Sequence, residues 1–192
     1  MAYYSIFPEK DTTIYSHPNR INMNTGKDEV LELVEEKATT GEVYYSSRIL
    51  IKFKNTDIRD VIQNKLTGIA KEVTPNTCEI SLDLFTGENK SLNSDHTIIA
   101  FPISQSWDEG TQRYEVNPPT TTTGSTQAAN GATWVHRTNL TSSTWPTTNA
   151  TFGMGASGSY TNQAGGGVWY TGSAFRSEAT FLAEDDLDLS LD

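Results

Sequence analysis

The sequence predicts an all-β fold, built from antiparallel strands with one short helix and long Gly/Thr/Ser-rich loops. Three observations carry that reading. In "SRILIKFK" and "CEISLDLF" apolar residues alternate with polar ones, the period-two signature of a half-buried strand. Only "NTDIRDVIQNKLTG" carries apolar residues at helical spacing. From Pro118 onward Thr, Ser, Asn and Gly dominate, punctuated by large aromatic rings. At 192 residues, with 35% hydrophobic content and a mean hydropathy of −0.49, the chain suits one domain with little apolar material to spare.

Taken in order, strands are expected at "TIYS" around Ile14, "EVLELV" at 29 to 34, "EVYY" at 42 to 45 and "SRILIKFK". In the last of these Ile49, Ile51 and Phe53 form the apolar face against Arg48, Leu50 and Lys52. The helix places Ile58, Val61, Ile62 and Leu66 on one stripe, with Asn55 or Thr56 as its cap and Gly68 at its end. In "CEISLDLF", Cys78, Ile80, Leu82 and Leu84 face inward. A further strand covers "TIIAFPIS" at 97 to 104, where Pro102, lacking an amide proton, marks an edge or an end. His96 falls in a turn, and His136 alternates with Trp134 on a strand. The domain thus divides into a core at 1–117, a Thr-rich loop at 118–131, an aromatic-bearing remainder at 132–183 and an acidic tail at 184–192.

Charge and composition exclude several function classes. The net charge is −10, with 14 acids against 11 bases through Lys90 and 10 against 3 from Ser91 onward. Nucleic acid is not an expected partner, because tracking phosphates needs clustered Lys and Arg. The closing "EDDLDLSLD" reads as a solvated tail or a patch facing a basic partner. Cys78 is the only cysteine, so neither an internal disulfide nor a thiolate metal cage is expected, and its place in a strand is that of a small buried apolar residue. No run approaches the ~18 apolar residues of a membrane span, and the start shows no secretory h-region. A protein made and kept inside the cell, or exported without a visible signal, is the expectation, with no membrane partner.

With these elements placed, the order of motifs resembles the DNRLRE-type β-sandwich family. The residues that carry it are "DTTIYS" at 11 to 16, "NTG" at 24 to 26, "SRILIKF" at 47 to 53, "CEISLDLF", the corner Trp107, Asp108, Glu109, Gly110, and "GATWVHRT" at 131 to 138 followed by Trp145. The opening "MAYYSIFPEKDTTIYS" is similar, more narrowly, to virion structural proteins of contractile-tailed phages of marine cyanobacteria. The resemblance runs from Met1 to about Trp145. It implies a jelly-roll-like antiparallel β-sandwich and a non-enzymatic structural role in a phage tail, neck or baseplate, with other virion proteins or further copies as partners. The sequence departs from the family's spacing at "INMNTG" and in the Thr-rich insertion, and the family continues further past its acidic stretch.

The candidate functional residues follow from these readings. The resemblance makes Trp107, Asp108, Glu109 and Trp134 a structural corner, with Arg48 or Arg137 as partner of the carboxylates. Asp108 and Glu109 are adjacent, and adjacent residues of an extended chain point to opposite faces, so they do not form a glycosidase pair. No catalytic or cofactor motif is present in the sequence, and no metal-ligand spacing involves the three histidines. Calcium is the one cofactor considered, through Asp11 and Asp28, without a recognisable loop pattern. Trp145, Phe152, Tyr160, Trp169 and Tyr170 are candidate contacts, either to protein partners, where Trp and Tyr concentrate binding energy, or to a glycan, as in a carbohydrate-binding module for host-surface adhesion.

Overall fold

The computed structural model describes residues 3–37, 44–66, 79–85, 95–115, 130–138, 143–145, 152–154, 165–170, 176–181 and 189–191. Along the chain these form β1 (Pro8–Tyr15), β2 (Glu35–Lys37), β3 (Tyr44–Phe53), α1 (Asn55–Asp60) continued by a π-helical turn Val61–Leu66, β4 (Leu82–Leu84), β5 (His96–Ala100), β6 (Phe152–Met154), β7 (Val168–Tyr170), β8 (Ser177–Phe181) and β9 (Leu189–Leu191). Every strand pairing among the described residues is antiparallel, as is common in all-β chains.

The chain falls into two compact units, each made of separate stretches of sequence. The larger unit joins Pro8–Phe53 to Ile103–Tyr170, and the smaller joins Met1–Phe7, Lys54–Pro102 and Thr171–Asp192. The breaks fall where the local chemistry interrupts a ladder: β1 begins at Pro8, with a register irregularity between Pro8 and Lys10, and β5 stops two residues before Pro102.

In the larger unit β3 lies between β1 and β2, and β7 pairs with β6. The core is tryptophan-rich: Ile14, Leu50, Trp107, Ala132, Trp134, Trp145 and Val168 form one buried cluster, with Ile21 and Ile103 against it. The buried half of β1 is only partly apolar, with Thr12 and Thr13 buried beside Ile14 and Tyr15. Thr13 donates its amide to Thr25 Oγ1 (3.1 Å), and its carbonyl accepts the Thr25 hydroxyl (2.9 Å), so the polar groups enter the interior already satisfied.

Burial in β3 is divided between its two faces rather than confined to the more apolar one. Leu50 is buried on one face and Ser47 on the other, while Ile49, Ile51 and Phe53, on the Ser47 face, are only partly buried. Arg48 shares the Leu50 face, where two tryptophans lie against its guanidinium.

In the smaller unit β4 pairs with β9 and β5 with β8. The helix keeps its predicted stripe, with Ile58, Val61, Ile62 and Leu66 as its partly buried side, but its details differ. Lys54 is the N-cap and makes no side-chain cap, since its ammonium offers no acceptor, and the Thr56 hydroxyl donates to Asp57 Oδ1 (3.1 Å) instead. After one and a half turns the helix widens to π geometry, and Gly68 lies outside the described residues.

Other elements also shift. "EVLELV" is not a strand; pairing starts at Glu35, because Val34 donates its amide to the Ser47 hydroxyl (2.7 Å) rather than to a ladder carbonyl. "CEISLDLF" shrinks to Leu82–Leu84, with Ile80 exposed and Cys78 outside the described residues. His96 opens β5 instead of sitting in a turn, and His136 makes a single bridge to Thr144 rather than joining a strand. Within the acidic segment Leu189–Leu191 forms β9. Leu189 and Leu191 repeat at period two and pair with Leu84 and Leu82. Residues 116–129, most of the Thr-rich loop, lie outside the described residues.

Candidate functional site

The corner that closes the larger unit is built on one asparagine. Asn24 is fully buried and uses its whole amide. Nδ2 donates to Glu109 O (2.7 Å) and Ala132 O (2.8 Å), while Oδ1 accepts from Gly26 N and Gln112 N (both 3.3 Å). Three chain segments distant in sequence are thereby held by one side chain. The "NTG" motif acquires a physical meaning here: Asn24 ties the corner, Thr25 ties β1, and Gly26 leaves room for the Glu109 carbonyl, which would lie 2.0 Å from an added Cβ. Gly110 and Gly131 sit at φ 87° and 103° against the same asparagine, a backbone region that favours glycine.

Trp107 is 3% exposed and belongs to the buried cluster that includes Trp134. Its neighbours point to separate partners: Asp108 lies 3.7 Å from Lys10 Nζ and Glu109 2.8 Å from Lys27 Nζ. Neither expected arginine fills that role. Arg137 Nη1 donates to Ser106 O (3.1 Å), and Arg48 is committed elsewhere. Its guanidinium lies between two indoles, 4.6 Å from the ring centre of Trp134 and 4.7 Å from that of Trp169, and Nη1 donates to Gly166 O (2.9 Å). Burial lowers the Arg48 pKa to about 10, which leaves the charge intact at neutral pH.

The aromatic candidates separate in this arrangement. Trp134 and Trp145 are 0% and 1% exposed, and the Trp145 indole donates to Thr133 O (2.9 Å). Trp145 is therefore a core residue and not a partner contact. Trp169 is partly buried against Arg48, and Tyr170 at the end of β7 remains exposed. The backbone of Phe152 belongs to β6; its side chain, and Tyr160, lie outside the described residues.

Neither calcium candidate has ligands gathered around it. Both oxygens of Asp28 accept the Tyr114 amide (3.1 Å each), and among the described residues no group of three or more His, Cys, Asp or Glu side chains converges. Asp11 lies near Glu109 and Lys27; burial first, then the Glu109 charge, raises its pKa, with Lys27 opposing. A folded pKa above the unfolded one adds stability at low pH that is lost as pH rises through the folded value. Asp11→Asn is therefore expected to raise the melting temperature at about pH 7, the difference vanishing near pH 3 where both states are protonated. A variant that melts below the wild type at neutral pH would contradict this.

Two surfaces remain. One is a cleft of about 310 Å³ in the larger unit, lined by Tyr15, His17, Arg20, Glu32, Glu36, Tyr45 and Tyr114 among others. Tyr15 donates its hydroxyl to Glu32 Oε2 (2.8 Å), and burial, aided by that carboxylate, pushes its pKa upward. Arg20 Nη1 donates to Glu36 Oε2 (3.0 Å), and its guanidinium lies 5.5 Å from the Tyr114 ring centre. None of these residues stands out in the sequence. The signal present was weak: "YYSS" at 44 to 47 places a ring on each face of a strand edge.

The other surface belongs to the smaller unit. Among its described residues none is buried, while Tyr3, Phe7, Ile80 and Phe85 are 77%, 82%, 73% and 78% exposed. Comparison with known proteins adds no relative: no family model, no curated protein and no solved structure matches the chain.

Proposed function

We propose that the chain is a non-enzymatic structural subunit of a phage virion, in a tail, neck or baseplate, and that its smaller unit docks onto neighbouring virion proteins or copies of itself. The observation that carries this reading is the unequal division of apolar burial. Every buried apolar side chain among the described residues belongs to the larger unit, whereas the smaller one displays Phe7, Ile80, Phe85 and Ile99. Its strands form two-stranded ribbons, an arrangement only marginally stable in water without further packing. Covering such side chains contributes roughly 1.5–3 kcal/mol each, which a neighbour's surface would supply.

Support for the virion setting is the shared order of "DTTIYS", "NTG", "SRILIKF" and the Trp107 corner, together with a net charge of −10 that suits protein rather than nucleic-acid partners. The same resemblance supports a jelly-roll-like sandwich as the finer description of the fold. The test is analytical ultracentrifugation and binding of an apolar fluorescent dye, for the wild type and for a Phe7→Ser, Ile80→Ser, Phe85→Ser triple variant. The expected result is self-association or dye binding by the wild type that the variant loses. A wild type that is monomeric and does not bind dye would overturn the reading.

A further inference from the structure

We propose that the cleft of the larger unit is a saccharide site that takes one ring of a neutral oligosaccharide, an activity separate from the assembly role. At about 310 Å³ it falls at the lower end of the ~300–1,000 Å³ typical of ligand pockets, which suits a single pyranose rather than an extended ligand. Its chemistry matches such a ring on both counts. Tyr45 supplies aromatic surface for an apolar face of a sugar, while Arg20, Glu32 and Glu36 supply donors and acceptors for its hydroxyls.

Charge balance decides among ligand classes. Glu36 is paired with Arg20, and Glu32 holds the Tyr15 hydroxyl, so an anion would meet two carboxylates. A cation would have to displace Arg20, which already covers Tyr114 and occupies Glu36. A neutral polyol avoids both penalties. The lining is held in place before any ligand arrives. Tyr45 packs edge-on against His17 (4.9 Å between ring centres), and the His17 Nδ1 accepts the Asn19 amide (3.1 Å). Side chains already fixed lose little freedom on binding.

The test is titration of the full chain with maltohexaose, cellohexaose, mannohexaose and chitohexaose, followed by nuclear magnetic resonance, with sedimentation against the matching insoluble polysaccharides as a second arm. Saturable binding of at least one hexaose is expected, weakened ~10-fold or more by Tyr45→Ala and by Arg20→Gln, and retained in Tyr45→Phe, with unchanged melting temperatures. Binding in solution alone would assign a short free sugar, and co-sedimentation as well would assign a surface polysaccharide. No shift at the cleft with any of the four hexaoses, or binding indifferent to Tyr45→Ala, would overturn the proposal. Because the cleft belongs to the larger unit, this result does not depend on the smaller unit's docking.

Discussion

Asn24→Ala is expected to lower the stability of the larger unit by about 3–5 kcal/mol. The substitution strips the Glu109 and Ala132 carbonyls of their donor and the Gly26 and Gln112 amides of their acceptor, in a position with no exposure at all. Each buried polar group left unpaired costs roughly 1–3 kcal/mol, and water entering the vacated space recovers part of that. For a chain of this length the melting temperature should fall by about 10 °C, measurable by calorimetry. Asn24→Asp is the sharper comparison. It keeps the acceptor but loses the two donated bonds and places a carboxylate against two carbonyls, so it should be at least as damaging. A variant of either kind that melts with the wild type would remove the asparagine from the centre of the corner.

Trp134→Ala should cost a similar amount, about 3–5 kcal/mol, as truncations of buried aromatic residues do. Its ring is 0% exposed and forms one side of the Arg48 stack, so its loss also leaves a desolvated guanidinium with one indole instead of two. Trp134→Phe separates packing from hydrogen bonding. The indole Nε1 is buried with no partner among the described residues, so removing that donor offsets part of the lost volume, and the variant should cost well under half as much as Trp134→Ala. Equal losses for the two variants would show that the indole nitrogen matters in a way the packing does not explain.

The sequence was most legible where local chemistry and burial agree. Ile14 and Leu50 lie on strands that the sequence predicts, and Asn24 and Thr25 of "NTG" and Trp107 are all buried in the larger unit. Legibility failed at Arg48. Alternation assigns a charged residue to the outside by default, and nothing nearby in sequence reveals that Trp134 and Trp169 will receive it. The same limit hid the cleft, whose residues come from β1, β2, β3, the turn near Arg20 and Tyr114, so that only the folded chain brings them together. Trp145 misled for the opposite reason. Its Thr- and Asn-rich surroundings read as an exposed loop, while the ring itself enters the core and anchors to Thr133 O. The acidic end misled through its charges, which overshadowed the alternation of Leu189 and Leu191.

The central claim is that the larger unit supports itself while the smaller one waits for a partner. Hydrogen exchange on the isolated chain tests it most directly, since local opening is read amide by amide. Slow exchange is expected in β1 and β3 and at Asp108, Ala132 and Trp145, with fast exchange in β4, β5, β8 and β9. Equal protection in β4 and β5 as in β1 and β3, for the monomer in dilute solution, would contradict it.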